Sequence, residues 1–173
     1  MSASADTEQY TGLILLSGVD KPGITASLFE VLSPFSITIA DIEQIVIKDR
    51  LILTVLIILN PAHEDAIAAD LETCAASLDV DIASLFSYAD KSTFDIKTDL
   101  ARVSLSSLKI LPKAIGELTE VIHQSGGNIE SVTRLASNPL TTLEFVISGA
   151  KKEALNQALV PIASSNGVEI TIQ

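Results

Sequence analysis

Ile37-Thr38-Ile39-Ala40-Asp41-Ile42-Glu43-Gln44-Ile45-Val46-Ile47 runs into Lys48-Asp49-Arg50 and then into Leu51-Ile52-Leu53-Thr54-Val55-Leu56-Ile57-Ile58-Leu59. β-Branched residues dominate both long runs, and they favour the pleated, half-buried surface of a sheet. The charged triplet between them reads as a hairpin turn. The stretch is therefore a strand over 37–47 and a returning strand over 51–59. The returning strand is apolar on both faces of its pleat. Helices cover only one face of such a sheet, so the other face or edge is expected to meet a second module or another subunit.

On either side of the hairpin the period changes from two to nearly four. Upstream, Ile24, Leu28, Val31 and Leu32 recur at helical spacing, and Ser33-Pro34 stops the run, because proline disfavours helix at its own position and just before it. Downstream, Asn60-Pro61 opens a second helix with Ile67, Leu71, Cys74 and Leu78 on one side. Further out lie two more apolar runs, Tyr10 to Ser17 and Val80 to Tyr88. Strand, helix, strand, strand, helix, strand is the split βαβ arrangement. It predicts a ferredoxin-like, α+β module: a four-stranded antiparallel sheet with both helices on one face.

The pattern returns 90 residues later. Under that shift Pro22 meets Pro112, Leu28 meets Leu118, Glu30 meets Glu120, Val31 meets Val121, Ile39 meets Ile129 and Leu53 meets Leu143. The order of signals also repeats. Arg102 to Ser106 is a strand, and Leu111 to Gln124 a helix ending at Gly126-Gly127. Asn128 to Leu135 and Thr141 to Ser148 are strands about the turn Ser137-Asn138-Pro139, Lys151 to Ser164 is a helix, and Val168 to Ile172 the last strand. Two copies of one unit account for this. The expected organisation is a tail over 1–9, a module over 10–89, a linker over 90–100 and a second module over 101–173. Units of about 80 residues bury little alone, which adds to the expectation of a homodimer.

Of the chain's 173 residues 47% are apolar, and the formal net charge is −11. Residues 1–89 carry 13 acids and 3 bases, whereas residues 90–173 carry 9 acids and 8 bases. Clustered lysine and arginine are lacking, so no nucleic-acid partner is expected. The start of the chain has neither the basic residues nor the apolar stretch of a signal peptide, and the run from Leu51 to Leu59 is far short of the roughly 20 residues that span a bilayer. A soluble, cytoplasmic protein with no membrane partner is expected. The lone Cys74 forms no internal disulfide and reads as a small core residue beside Leu71 and Leu78. His63 and His123 stand far apart with no cysteine beside them, and no metal site is expected.

Gly18-Val19-Asp20-Lys21-Pro22-Gly23 joins the first strand to the first helix. It has two readings. In one it is a helix entry, with Asp20 capping the first turn and Pro22 preset for helical φ. In the other the free N–H groups of the helix start hold a ligand carboxylate, Asp20 pairs with its ammonium group, and Gly18 and Gly23 let it come close to the backbone. A carboxylate with an ammonium group is a free amino acid.

A βαββαβ unit with Asp20-x-Pro22-Gly23 in its first loop and Ile39-Ala40-Asp41-Ile42-Glu43-Gln44 in its second strand resembles an ACT domain. The loop, together with Leu28-Phe29-Glu30-Val31-Leu32 and Glu43-Gln44-Ile45-Val46-Ile47, resembles the amino-terminal ACT pair of bacterial phosphoserine phosphatases. That resemblance implies binding of an amino acid at a module interface, L-serine or failing that glycine. It carries over Asp20, Gly23, Asp41 and Gln44, beside Gly18 and Pro22 of the loop. The second module reads Ser107-Leu108-Lys109-Ile110-Leu111-Pro112-Lys113 at the same place, without the aspartate and the glycine. Only Pro112 and the later Asn128 match the motif there, so the second module is not expected to hold a complete site of its own. It is expected to complete the first module's site from across an interface, and Asn128 is counted among the candidate ligand-binding residues.

The phosphatase family implies a catalytic domain after its ACT pair, opened by an aspartate in D-x-D-x-T, with which any magnesium would belong. Asp95-Ile96-Lys97-Thr98-Asp99 has the wrong spacing, and no nucleophile pair or phosphate-binding loop is present. No catalysis and no cofactor are expected of this chain. Three roles remain: the regulatory and dimerisation region of a phosphoserine phosphatase in serine biosynthesis; a stand-alone tandem ACT regulator similar to glycine cleavage system repressors, acting through a partner protein; and a dimerisation module without a working ligand site.

Overall fold

The computed structural model describes residues 7–173, so the expected tail lies mostly outside the described residues. Two compact units divide between Asp95 and Ile96, inside the stretch read as a linker. In the first unit the order is β1 (Glu8–Val19), α1 (Ile24–Leu32), β2 (Thr38–Ile47), β3 (Arg50–Ile58), α2 (Glu64–Leu78) and β4 (Asp81–Asp90). The second has β5 (Leu100–Ser107), α3 (Pro112–Gln124), β6 (Asn128–Ser137), β7 (Thr141–Ser148), α4 (Lys152–Asn166) and β8 (Glu169–Ile172). Each unit has one four-stranded sheet, ordered β2-β3-β1-β4 and β6-β7-β5-β8, with every pairing antiparallel. This is the ferredoxin-like arrangement, twice.

The hairpin that predicted the fold is present, with Ile47 opposite Arg50 and Gln44 opposite Leu53. In β3, Leu51, Leu53, Val55 and Ile57 are buried while Ile52, Thr54, Leu56 and Ile58 are half-buried. The buried set meets Ile14 and Leu16 of β1, Ile24, Leu28 and Leu32 of α1, and Ile67 and Leu71 of α2 in one core. Helical and strand periods thus converge on a single face. The second core is built alike from Ala101, Val103, Leu105, Ala114, Leu118, Ile122, Phe145, Ile147, Leu155 and Leu159.

Several ends differ from the sequence reading. The first strand starts at Glu8 and continues through Val19, because β4 extends to Asp90 and supplies partners down to Glu8, while β3 supplies Arg50 opposite Val19. Glu8 and Gln9, expected in the tail, are thus strand residues, and Gly18 lies in the strand instead of the loop. Asn60-Pro61 opens a 3-10 turn over Pro61–His63, where the Asn60 side chain accepts from the Ala62 N–H, before α2 begins at Glu64. Cys74 is buried in α2, and burial raises its thiol pKa above the ordinary value.

Candidate functional site

Gly23 occupies the N-cap of α1 in the left-handed region, at φ 93°, where a side chain is strained and glycine is not. No side chain caps the helix. Asp20, read as a cap, does not act as one; it lies three residues before the N-cap, and its own N–H donates to the Asp49 carbonyl at 2.8 Å. That bond draws the β1–α1 connection against the β2–β3 turn. The Asp20 side chain is exposed. Uncapped first-turn N–H groups with an exposed carboxylate three residues upstream are the donors and the acceptor that an amino acid requires. Pro22 sits just outside the helix, one residue before the cap.

Gly18 plays a different part. A Cβ built there would stand 2.7 Å from Val80 Cγ1 and 3.1 Å from Val80 Cβ. The missing side chain makes room for Val80, at the entry to β4, to pack on the strand. Beside it, Ser17, Gly18, Val19, Arg50, Asp79 and Asp81 line part of an open depression of about 390 Å³.

Gln44 joins the loop through a residue that sequence reasoning missed. Thr25 Oγ1, in the first turn of α1, donates to Gln44 Oε1 at 2.7 Å. Asp41 stands apart from Gln44. Gln44 pairs with the buried Leu53 and Asp41 with the half-buried Leu56, so three residues along a strand place them on opposite faces of the sheet. The Asp41 carboxylate accepts from the N–H of Ile42 at 2.8 Å.

In the second unit Asn128 opens β6, and its side-chain amide donates to Glu130 Oε1 at 2.9 Å. Lys97 Nζ lies 2.7 Å from the same oxygen, and the Ser148 hydroxyl also donates to it. With three donors on one carboxylate, led by Lys97, the Glu130 carboxyl is pulled down to about 2. Asn128 is thereby engaged within its own unit. No sequence signal marks this cluster, since Lys97 and Glu130 are 33 residues apart. Among the described residues no group of three or more His, Cys, Asp and Glu side chains gathers as metal ligands do, and no helix is long and apolar enough to cross a membrane.

Residues 11–84 and again residues 94–173 match the ACT domain family. The chain belongs to that family, as a tandem pair of ACT domains. It is 33% identical over 173 residues to a phosphoserine phosphatase of Streptomyces coelicolor, a match covering 99% of this chain and 42% of that protein. To phosphoserine phosphatase SerB2 of Mycobacterium tuberculosis it is 26% identical over 165 residues, covering 93% of this chain and 40% of the relative. The chain thus spans about two fifths of the length of these relatives. Its fold resembles the crystal structure of a protein described as a glycine cleavage system transcriptional repressor, with TM-score 0.73, 16% identity and 96% of each chain covered. A protein of unknown function from Galdieria sulphuraria is alike at TM-score 0.72 and 16% identity, with 96% of this chain and 98% of that one covered.

Proposed function

We propose that this chain is the amino-acid-binding regulatory region of a phosphoserine phosphatase of serine biosynthesis, working in the cytoplasm as a homodimer with L-serine as its effector. The observation that carries this is the 33% identity to the Streptomyces coelicolor phosphatase, which runs through 99% of the chain and so takes in both ACT units. The uncapped start of α1, with Gly23 at the cap and Asp20 exposed, supports the ligand class: backbone N–H groups for a carboxylate and a carboxylate for an ammonium group. In this reading Asp20, Pro22, Gly23 and Gln44 form the candidate binding set, while Gly18 packs on Val80, Asp41 lies on the other face of the sheet, and Asn128 is engaged by Glu130 in the second unit. Thr25 is added as the residue that holds Gln44. Phosphate release and any magnesium belong to a separate catalytic domain of the parent protein.

Calorimetry of this chain against the twenty amino acids tests the proposal. L-Serine, or failing that glycine, is expected to bind. If neither binds at millimolar concentration, the sensing role is lost. A parallel assay with phosphoserine and magnesium is expected to release no phosphate above a buffer control. Turnover that survives repurification overturns the division of labour. A stand-alone regulator acting through a partner protein is the second reading, which the likeness in fold to the glycine cleavage repressor favours.

A further inference from the structure

The two sheets turn opposite kinds of surface away from their helices. On the first, the face that holds the half-buried Ile52, Leu56 and Ile58 also holds Leu13 and Leu15 of β1, Ile45 and Ile47 of β2, and Leu85 of β4, with Ser17, Thr54 and Arg50 among them. Their exposures are large for such side chains: Leu13 44%, Leu15 42%, Ile45 50%, Ile47 57% and Leu85 65%. On the second sheet the same face carries Arg102, Ser104, Thr133, Thr142, Glu144 and Thr171, with Val146 and Ala136 among them. Arg102 and Glu144 form an ion pair across it at 2.8 Å, and Ser106 bonds Thr142 at 2.8 Å. One fold, at equivalent positions, is mainly apolar in one unit and mainly polar in the other. A contiguous apolar sheet face marks a place of contact.

We infer that the open face of the first sheet is a self-association surface, on which the same face of a second copy packs. The surface is apolar at its centre, where Leu13 lies between Leu56 and Leu85 and Leu15 lies between Thr54 and Ala83. Asp41 and Glu43 of the edge strand β2 stand at its rim. An apolar centre within a polar rim is how specific interfaces are built. An identical copy presents the same apolar centre in return, as a two-fold interface demands. Four strands spaced about 4.8 Å and eight residues rising about 3.3 Å each make a face of roughly 500 Å². Two copies then bury about 1,000 Å² before corrugation is counted, which reaches the lower bound for a specific interface. Sheets so stacked lie about 10 Å apart with interdigitated side chains. The balance of 13 acids to 3 bases over residues 1–89 makes the copies repel, so the dimer tightens as salt is added.

This inference rests on the dimer proposed above but not on the ligand, and its test separates the two. Sedimentation of the full 173-residue chain at micromolar concentration is expected to show a dimer. Leu15→Glu and Leu85→Glu are expected to weaken it by roughly 100-fold or more, because each carboxylate meets its own copy in a dry interface. Ser104→Glu, on the polar face of the second sheet, is expected to leave it intact. A monomeric parent chain overturns the dimer and this surface together. A dimer that survives both leucine substitutions with its circular dichroism unchanged overturns the surface alone. A milder substitution avoids any loss of folding: Thr54→Cys should react with a thiol reagent more slowly in concentrated than in dilute solution. Equal rates overturn the proposal.

Discussion

Thr25 Oγ1 donates to Gln44 Oε1 across 2.7 Å, joining the first turn of α1 to the edge strand β2. The two residues are 19 apart in sequence and meet only because α1 lies over the sheet face to which Gln44 points. The bond holds the uncapped helix start against the edge strand β2. The proposed ligand site at that helix start is thereby positioned by a side-chain bond to the sheet.

L-Serine should therefore raise the melting temperature. A ligand present at about 100 times its dissociation constant stabilises the fold by roughly 2.7 kcal/mol. Asp20→Ala should abolish most of that increment, since the ammonium group loses its partner. Because Gly23, not Asp20, is the N-cap, the same change should leave the ligand-free protein within about 0.5 kcal/mol of the parent. A ligand-free melting point that drops as far as a lost cap requires, about 1 kcal/mol, would contradict the geometry.

Two glycines of one motif should behave differently. Gly18→Ala forces a methyl group into Val80, at 2.7 Å from Cγ1, and should cost about 1–3 kcal/mol by urea denaturation. Gly23→Ala meets nothing within 4 Å and strains only the backbone at φ 93°, for about 1 kcal/mol. The reverse order would show that Gly18 is kept for ligand approach and not for packing.

Glu130 should give the second unit an acid limit. Its folded carboxyl sits at about 2, held by Lys97, Ser148 and Asn128, against an ordinary value of about 4.3. The stabilisation is complete above the ordinary value and is lost as pH falls through about 2. Glu130→Gln should flatten the pH dependence of stability over that window, with little change in its slope near neutrality. Chemical denaturation of both proteins from pH 6 downward checks this.

Tyr10 donates to the Glu64 carboxylate and stacks edge-on to Tyr88, with ring centroids 4.8 Å apart. The bond to Glu64 comes first among the causes that push its hydroxyl up to about 12. A pKa raised in the folded state supplies stability below the ordinary value of about 10 and loses it as pH rises through about 12. Ultraviolet titration of tyrosinate should show a late step near 12 that Tyr10→Phe removes.

The sequence by itself determined the fold and its duplication. The hairpin over 37–59, the helical spacing of Ile24, Leu28 and Leu32, and the 90-residue echo are all local or periodic signals, and each element appears where its period changes. The ACT resemblance was legible for the same reason, because Asp20, Pro22 and Gly23 lie in one short loop. What a residue of that motif does was decided only in three dimensions. Gly18 answers to Val80, 62 positions away, and Asp20 to the carbonyl of Asp49. Asp41 and Gln44, neighbours in the motif, fall on opposite faces because register places one against Leu56 and the other against Leu53. Glu130 gathers donors from Lys97 and Ser148, which no window of sequence contains. Period is a property of neighbours along the chain, whereas packing, register and charge pairing depend on which distant segments the folded sheet brings alongside.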